Sequence, residues 1–304
     1  MVQLHKYSGA GNTFVVLDGR TEDVSAFRTP EHISFYCKKF GTDGLMILTA
    51  DPEYDFRMEF YNPDGSGGMM CGNGGRCIVA FADALGLRPR DGRVFRFVAA
   101  DGEHTGEILR CAQDDNAMVG GGCKTVRLRM IDVHEFHPAL DGWFLDTGTR
   151  HFVRFVPDVE AVDIEEEGRR ARWDPVFAPV GANANFVSVD AGGVLHVRTF
   201  EKGVEGETLA CGTGITASAI AAFLASPRAD GNYFSDRFAE KPISAPPSTT
   251  PTRAVPVADM TGTVRYSIQA RIARLAVEFV PDDGCFTDVY LTGPAEEVDT
   301  PVHV

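Results

Sequence analysis

Met70-Cys71-Gly72-Asn73-Gly74-Gly75-Arg76-Cys77 is the stretch that decides how the rest of the chain is read. Its glycines leave backbone N–H groups uncovered just ahead of an apolar helical run at residues 78–85. Amide donors at a helix N-terminus bind a carboxylate or phosphate, and the same positive end lowers a nearby thiol pKa from about 8.5 toward neutrality. Cys71 thus reads as a thiolate beside an anion site. A second copy, Ala210-Cys211-Gly212-Thr213-Gly214, opens another apolar run at residues 215–225. A lone Cys-Gly is most simply a small buried hydrophobe next to a packing glycine. The same pattern at matched positions in two halves of one chain points instead to paired thiols.

The surroundings of the two copies repeat as well. Gly148-Thr149-Arg150-His151-Phe152-Val153 resembles Gly11-Asn12-Thr13-Phe14-Val15, with 57 residues from Phe14 to Cys71 and 59 from Phe152 to Cys211. Phe200-Glu201-Lys202-Gly203 precedes Cys211 as Tyr61-Asn62-Pro63-Asp64-Gly65 precedes Cys71: aromatic, polar residue, turn. A repeated order of landmarks signals a duplicated unit. Strand patterning at 14–17, 45–48, 56–61, 94–98, 105–109, 125–133, 264–268, 273–280 and 288–291, with a helix at 31–40, makes the class α+β. Two pseudo-symmetric domains are expected, 1–123 carrying Cys71 and 124–304 carrying Cys211, each a mixed or antiparallel sheet wrapped around a central helix. The last residues read as a short tail free to return to the first half. Facing the two halves would bring both thiols to one cleft, and domain interfaces favour pockets. Gly120-Gly121-Gly122 marks a linker, and the proline-rich residues 242–256 an exposed loop.

Composition narrows the partners. A chain of 304 residues with 44% hydrophobic and 24% charged content is ordinary for a globular protein. A formal net charge of -14 repels nucleic acid and anionic membrane surfaces, so a bound anion must be met by local donors. Seven cysteines without short paired spacings read as reduced and cytoplasmic, with no zinc site. The N-terminus lacks an apolar signal core, and residues 215–225 fall short of the ~20 that a membrane span needs. A small-molecule substrate is the expected partner, and a homodimer the assembly left open.

Inverting a carbon centre without a redox cofactor requires taking a proton from one face and delivering one to the other. One thiolate and one thiol can do this, while the Gly-Asn and Gly-Thr amides hold a carboxylate on which charge builds. The sequence here resembles the diaminopimelate epimerase family, from Lys6 to about Ala295. The resemblance rests on Gly-Ala-Gly-Asn-Thr-Phe-Val-Val-Leu-Asp (9–18), Asn62 to Ser66, Met70 to Cys77, Gly181-Ala182-Asn183-Ala184-Asn185-Phe186-Val187, and Arg198 to Gly214. It implies a pair of similar domains with a buried central helix each, no cofactor or metal, and a di-amino di-acid substrate on the route to lysine and peptidoglycan. It implies Cys71 and Cys211 as the acid–base pair, with Gly72, Asn73, Gly212 and Thr213 around the reacting carboxylate. Glu201 would stand near the substrate amino group, His151 would support catalysis, and Asn12, Asn62 and Asn183 would bind the distal end.

The chain departs from the family pattern in three places. Thr149-Arg150 replaces the usual Asn-Pro before His151. Lys202 replaces an arginine, and an ammonium cannot reproduce a bidentate guanidinium grip on the distal carboxylate. Pro63 replaces a small residue and stiffens a turn. The nearest alternative is another two-cysteine racemase, such as a proline racemase, but those carry Cys-Gly-His-Gly where this chain has Asn73. A non-catalytic thiol/disulfide switch is a second alternative. A phosphate-binding protein is a third, disfavoured by the lack of a Gly-Lys-Ser/Thr ending.

Overall fold

The computed structural model of the chain describes residues 2–68, 70–109, 123–227, 257–258 and 262–303. Gly120–Gly122, Cys111 and the proline-rich 242–256 lie outside the described residues. The chain forms two compact units, one of Met1–Arg129 with Thr292–Val304, the other of Met130–Leu291.

The first unit begins with β1 (Gln3–Gly9) and β2 (Asn12–Asp18), an antiparallel hairpin. Its turn passes through Ala10 and Gly11 with φ of 58° and 99°. Gly9 is required here, because a Cβ would sit 2.6 Å from the Asn73 carbonyl oxygen. Helix α1 (Pro30–Phe40) then crosses to β3 (Gly44–Thr49), which lies parallel to β2. Thr29 caps the helix N-terminus through its hydroxyl, Pro30 occupies the first turn, and Gly41 closes the helix at φ 61°. Antiparallel β4 (Phe56–Tyr61) leads into helix α2 (Gly72–Ala84) and on to β5 (Val94–Ala99), parallel to β4. Then β6 (Gly102–Leu109) and β7 (Lys124–Arg129) add antiparallel strands. The central strands β2 and β3 are buried runs because α1 covers one face and α2 the other.

The second unit opens with the hairpin β8 (Glu135–Ala139) and β9 (Gly142–Asp146). From β9 onward it follows the order of the first unit. Strand β10 (Arg150–Phe155) is antiparallel to β9, helix α3 (Ile164–Arg172) crosses to parallel β11 (Asn183–Val189), and β12 (Leu195–Glu201) is antiparallel to β11. After β13 (Gly206–Thr208), helix α4 (Gly212–Leu224) leads to the short β14 (Val257–Ala258) and to β15 (Val264–Gln269), parallel to β12, and β16 (Arg274–Asp282) pairs antiparallel with β15. The pairing signs anti, parallel, anti, parallel, anti thus run through β1 to β6 and again through β9, β10, β11, β12, β15 and β16. The α+β class read from the sequence holds, with a mixed sheet around a central helix in each unit.

The central helices are buried nearly all round. Eleven residues of α2, Gly72 to Ala82, are buried, and all of α4 except Thr213. No helix among the described residues is long and apolar enough to cross a membrane.

Two readings are corrected. Helix α2 begins at Gly72, six residues before the apolar run that suggested it. The last strand, β17 (Cys285–His303), does not end at Thr292-Gly293-Pro294. Its final stretch pairs antiparallel with β1, from Ser8↔Glu296 to Gln3↔His303. The glycine and proline punctuate the sequence without ending the strand, because β1 offers a backbone edge that outweighs the local break.

Candidate active site

In the first unit, Cys71 is the N-cap of α2, with extended backbone at φ -104°, ψ 151°, and its Sγ accepts the Gly74 N–H at 3.2 Å. Glycines cost a helix about 1 kcal/mol each. They occupy the first turn because there is no room for side chains. A Cβ on Gly75 would lie 2.7 Å from Met70 Sδ and 2.8 Å from Leu128 Cδ2, and one on Gly74 3.2 Å from the Cys71 sulfur.

Asn73 is locked from both ends. Its Nδ2 donates to Asn12 Oδ1 at 2.6 Å, and its Oδ1 accepts from Arg76 Nη2 at 2.8 Å. Arg76, at 0% exposure, also donates through Nη1 to the Gly72 carbonyl at 3.1 Å and through Nε to Pro294 at 3.4 Å. Burial pulls its pKa down to about 10, so the guanidinium stays charged at neutral pH. Asn12 therefore touches Asn73 at the opening of α2. Asn62 stays at its own turn, where its Nδ2 donates to Ser66 Oγ at 3.0 Å.

In the second unit, Cys211 caps α4 and is 8% exposed. Its Sγ lies 3.4 Å from Thr213 Oγ1. That hydroxyl is 3.0 Å from His151 Nε2 and 3.1 Å from Thr149 Oγ1, which is itself 2.9 Å from the same Nε2. Behind the ring, Asn185 Nδ2 reaches both His151 Nδ1 and the Phe152 carbonyl at 3.0 Å, while its Oδ1 accepts from Thr199 Oγ1 at 2.9 Å. A carbonyl only accepts, so the Asn185 nitrogen faces it, and His151 Nδ1 must be the acceptor. The ring proton then sits on Nε2, pointing at the Thr149 and Thr213 hydroxyls. Burial pushes the His151 pKa down to about 3, and the ring is neutral.

The remaining expected residues cluster where β11, β12 and β13 meet. Glu201 accepts from Thr208 Oγ1 at 2.7 Å. Asn183 is buried, with Nδ2 on the Arg150 carbonyl at 2.9 Å and Oδ1 accepting the Lys202 N–H at 2.8 Å. Its amide thus shapes the backbone on which Lys202 is exposed. Arg150 lies over the Phe144 ring, 5.0 Å from its centroid, and donates to the Phe177 carbonyl at 3.1 Å.

Sequence reasoning missed Arg76, Asn185, Thr199 and the placement of Thr149 against His151 and Thr213. A signal existed for two of them. Arg76 is a charge inside an apolar helix, and Asn185 lies two residues from Asn183, on the same face of its strand.

The fold is shared with solved structures of low sequence identity. A PhzF-family phenazine biosynthesis protein from Bacillus anthracis aligns with TM-score 0.66 at 12% identity, covering 100% of this chain and 99% of that one. A hydroxyproline epimerase from Agrobacterium vitis aligns with TM-score 0.60 at 14% identity, covering 99% and 90%. The architecture places the chain in this fold class, and in this chain a cysteine stands at the N-terminus of each unit's central helix. The family model of diaminopimelate epimerase matches residues 4–111 and 143–235. The diaminopimelate epimerase of Flavobacterium psychrophilum is 32% identical over 299 residues, 98% of both chains, and that of Chlorobaculum tepidum 39% identical over 224 residues, 71% of this chain and 81% of its own. The chain belongs to the diaminopimelate epimerase family.

Proposed function

We propose that the protein epimerises LL-2,6-diaminopimelate to meso-diaminopimelate by two-base proton transfer, supplying lysine and peptidoglycan synthesis. The observation that carries this is the duplication, in a chain of this family, of a cysteine at the N-terminus of a buried glycine-opened helix. One thiolate takes the α-proton and becomes a thiol. The other thiol gives its proton to the opposite face and becomes a thiolate, so one proton leaves and one arrives with no redox step. Charge developing on the reacting carboxylate would be met by the N–H groups at Gly72, Asn73, Gly212 and Thr213, where the dipoles of α2 and α4 add to the stabilisation.

In this reading Glu201 faces the substrate amino group. His151 acts as a neutral N–H donor to Thr213, whose hydroxyl stands beside Cys211. Asn12 steadies Asn73, and Asn62, Asn183 and Lys202 serve the distal end, Asn183 by shaping the Lys202 backbone. The test is incubation of reduced protein with LL-diaminopimelate in deuterated water. Meso product carrying deuterium at one α-carbon supports the reading, and substrate recovered without exchange overturns it.

A further inference from the structure

The two cysteines occupy matched positions in unlike electrostatic settings. At the fifth helical residue α2 has Arg76 and α4 has Thr216, and both reach the carbonyl of the helix-opening glycine: Arg76 Nη1 to Gly72 at 3.1 Å, Thr216 Oγ1 to Gly212 at 3.0 Å. The two side chains share this bond, but Arg76 also donates to Asn73 and Pro294, and it alone brings a charge. That charge is fully buried, and among the described residues no carboxylate is paired with it. Its field falls on Cys71 and Cys77. Cys77 is sealed in the core, where burial drives its pKa up and keeps it a neutral thiol. Cys71 is half-buried and already accepts the Gly74 N–H. Cys211 has Thr213 and, beyond it, an uncharged His151.

From these facts we infer that Arg76 is a positioning residue that sets the resting protonation of the pair, Cys71 as thiolate and Cys211 as thiol. The inference rests on the two-thiol reading above and names the cysteine that takes the first proton. Turnover leaves the protons exchanged, Cys71 protonated and Cys211 ionised. Arg76 then favours the return, in which Cys71 releases its proton to solvent and Cys211 takes one up.

The other titratable groups against α2 have partners of their own. Tyr7 and His5 lie on Phe81, toward the far end of the helix, and Glu297 is held by His5. Asp83 is held by Lys124. Glu296 acts on Cys77, and Asp101 accepts from His104 while meeting the Met70 N–H at 3.3 Å. Beside α4, Glu201 is the carboxylate carried by β12, and it is hydrogen-bonded to Thr208.

The test is site-resolved alkylation by iodoacetamide across pH on the full reduced chain, each cysteine followed by peptide mass spectrometry. The midpoint of each profile, not its rate, reports the thiol, so the greater exposure of Cys71 does not bias the result. Cys71 should titrate about one pH unit or more below Cys211, a tenfold difference in thiolate fraction. Arg76→Gln keeps donors for the glycine carbonyl without the charge and should raise the Cys71 midpoint by about a unit, while Arg76→Lys should restore it. A Cys211 midpoint equal to or below that of Cys71, or an unmoved Cys71 midpoint in folded Arg76→Gln, overturns the proposal. Should Arg76→Gln fail to fold, the wild-type comparison decides alone. Turnover of diaminopimelate is scored on the same preparation, so failure of the enzymatic reading is seen separately from failure of the charge assignment.

Discussion

The carboxamide of Asn185 fixes the imidazole of His151: its N–H meets ring Nδ1 at 3.0 Å and so places the ring proton on Nε2, facing Thr213. The pairing follows from the parallel register of β10 and β11, which sets His151 opposite Asn183 and brings the next inward residue, Asn185, behind the ring. It has a thermodynamic signature. His151 titrates at about 3 in the folded chain because of burial, against 6.5 when free. Between those values the unfolded chain binds more protons, so stability falls as pH drops through that window and is unaffected by this group above it. The loss should reach about 2 kcal/mol near pH 5. Thermal melts from about pH 7.5 to about pH 5 should show a smaller decline in His151→Gln than in wild type, and parallel declines would exclude the neutral buried ring.

Asn185→Asp keeps the size of the side chain and reverses its hydrogen-bonding sense. The carboxylate would face the Phe152 carbonyl, and the ring would have to carry its proton on Nδ1. The variant should lose about 2–4 kcal/mol of stability, and kcat should fall more than KM changes. Nitrogen NMR of the imidazole should show the tautomer change, and an unaltered Nε2–H ring would refute the assignment.

Gly214 is the close-approach point between α4 and this network. A Cβ there would run into the Asn185 carboxamide oxygen and stand 3.2 Å from His151 Cε1. Gly214→Ala, although it favours a helix in isolation, should therefore destabilise the fold by about 1–3 kcal/mol and depress turnover. A more stable and fully active variant would mean that the ring has room to move.

How much of this could be read from the sequence follows from which contacts are local. Both cysteine-capped helices announced themselves, since the glycines, the cap and the apolar run are contiguous. The true start of α2 at Gly72 was hidden because glycine argues against helix, and only tertiary crowding by Met70 and Leu128 explains it. Helix α3 went unread: Ile164-Glu165-Glu166-Glu167-Gly168-Arg169-Arg170-Ala171-Arg172 is short, highly charged and interrupted by a glycine. Its apolar positions are too few to show a period, though Asp163 at its N-cap and the order of acids before bases were available as signals. The Asn185 to His151 bond spans 34 residues and depends on strand register, which no local pattern encodes.

Cys71→Ala and Cys211→Ala should each lower epimerisation by at least about 10²–10³-fold, because neither thiol can serve the face of the carbon that belongs to the other. Each variant should stay folded, since both cysteines sit at helix caps and not in the helix interior. Substantial turnover in either variant, with wild-type circular dichroism, would rule out the two-base mechanism.

Lys202 is where the chain leaves the family pattern, and the structure sharpens what to expect there. Arg150, the other cation near this end of β10, is committed to the Phe144 ring and the Phe177 carbonyl. Lys202 is exposed on backbone that Asn183 holds through the Lys202 N–H. If Lys202 reads the distal carboxylate, it makes one point-charge contact in place of a planar fork, so Lys202→Arg should keep activity or lower KM. Lys202→Ala should raise KM by about tenfold with little change in kcat, because a contact remote from the reacting carbon is made equally in ground and transition states. Arg150→Ala should instead cost stability through the lost ring contact and hydrogen bond, about 1–2 kcal/mol, with KM nearly unchanged. The reverse pattern, KM responding to Arg150 and not to Lys202, would mean that Arg150 swings off Phe144 to meet substrate. Silence of both would leave the two-thiol racemase in place and remove the support that these cations give to a dicarboxylate substrate.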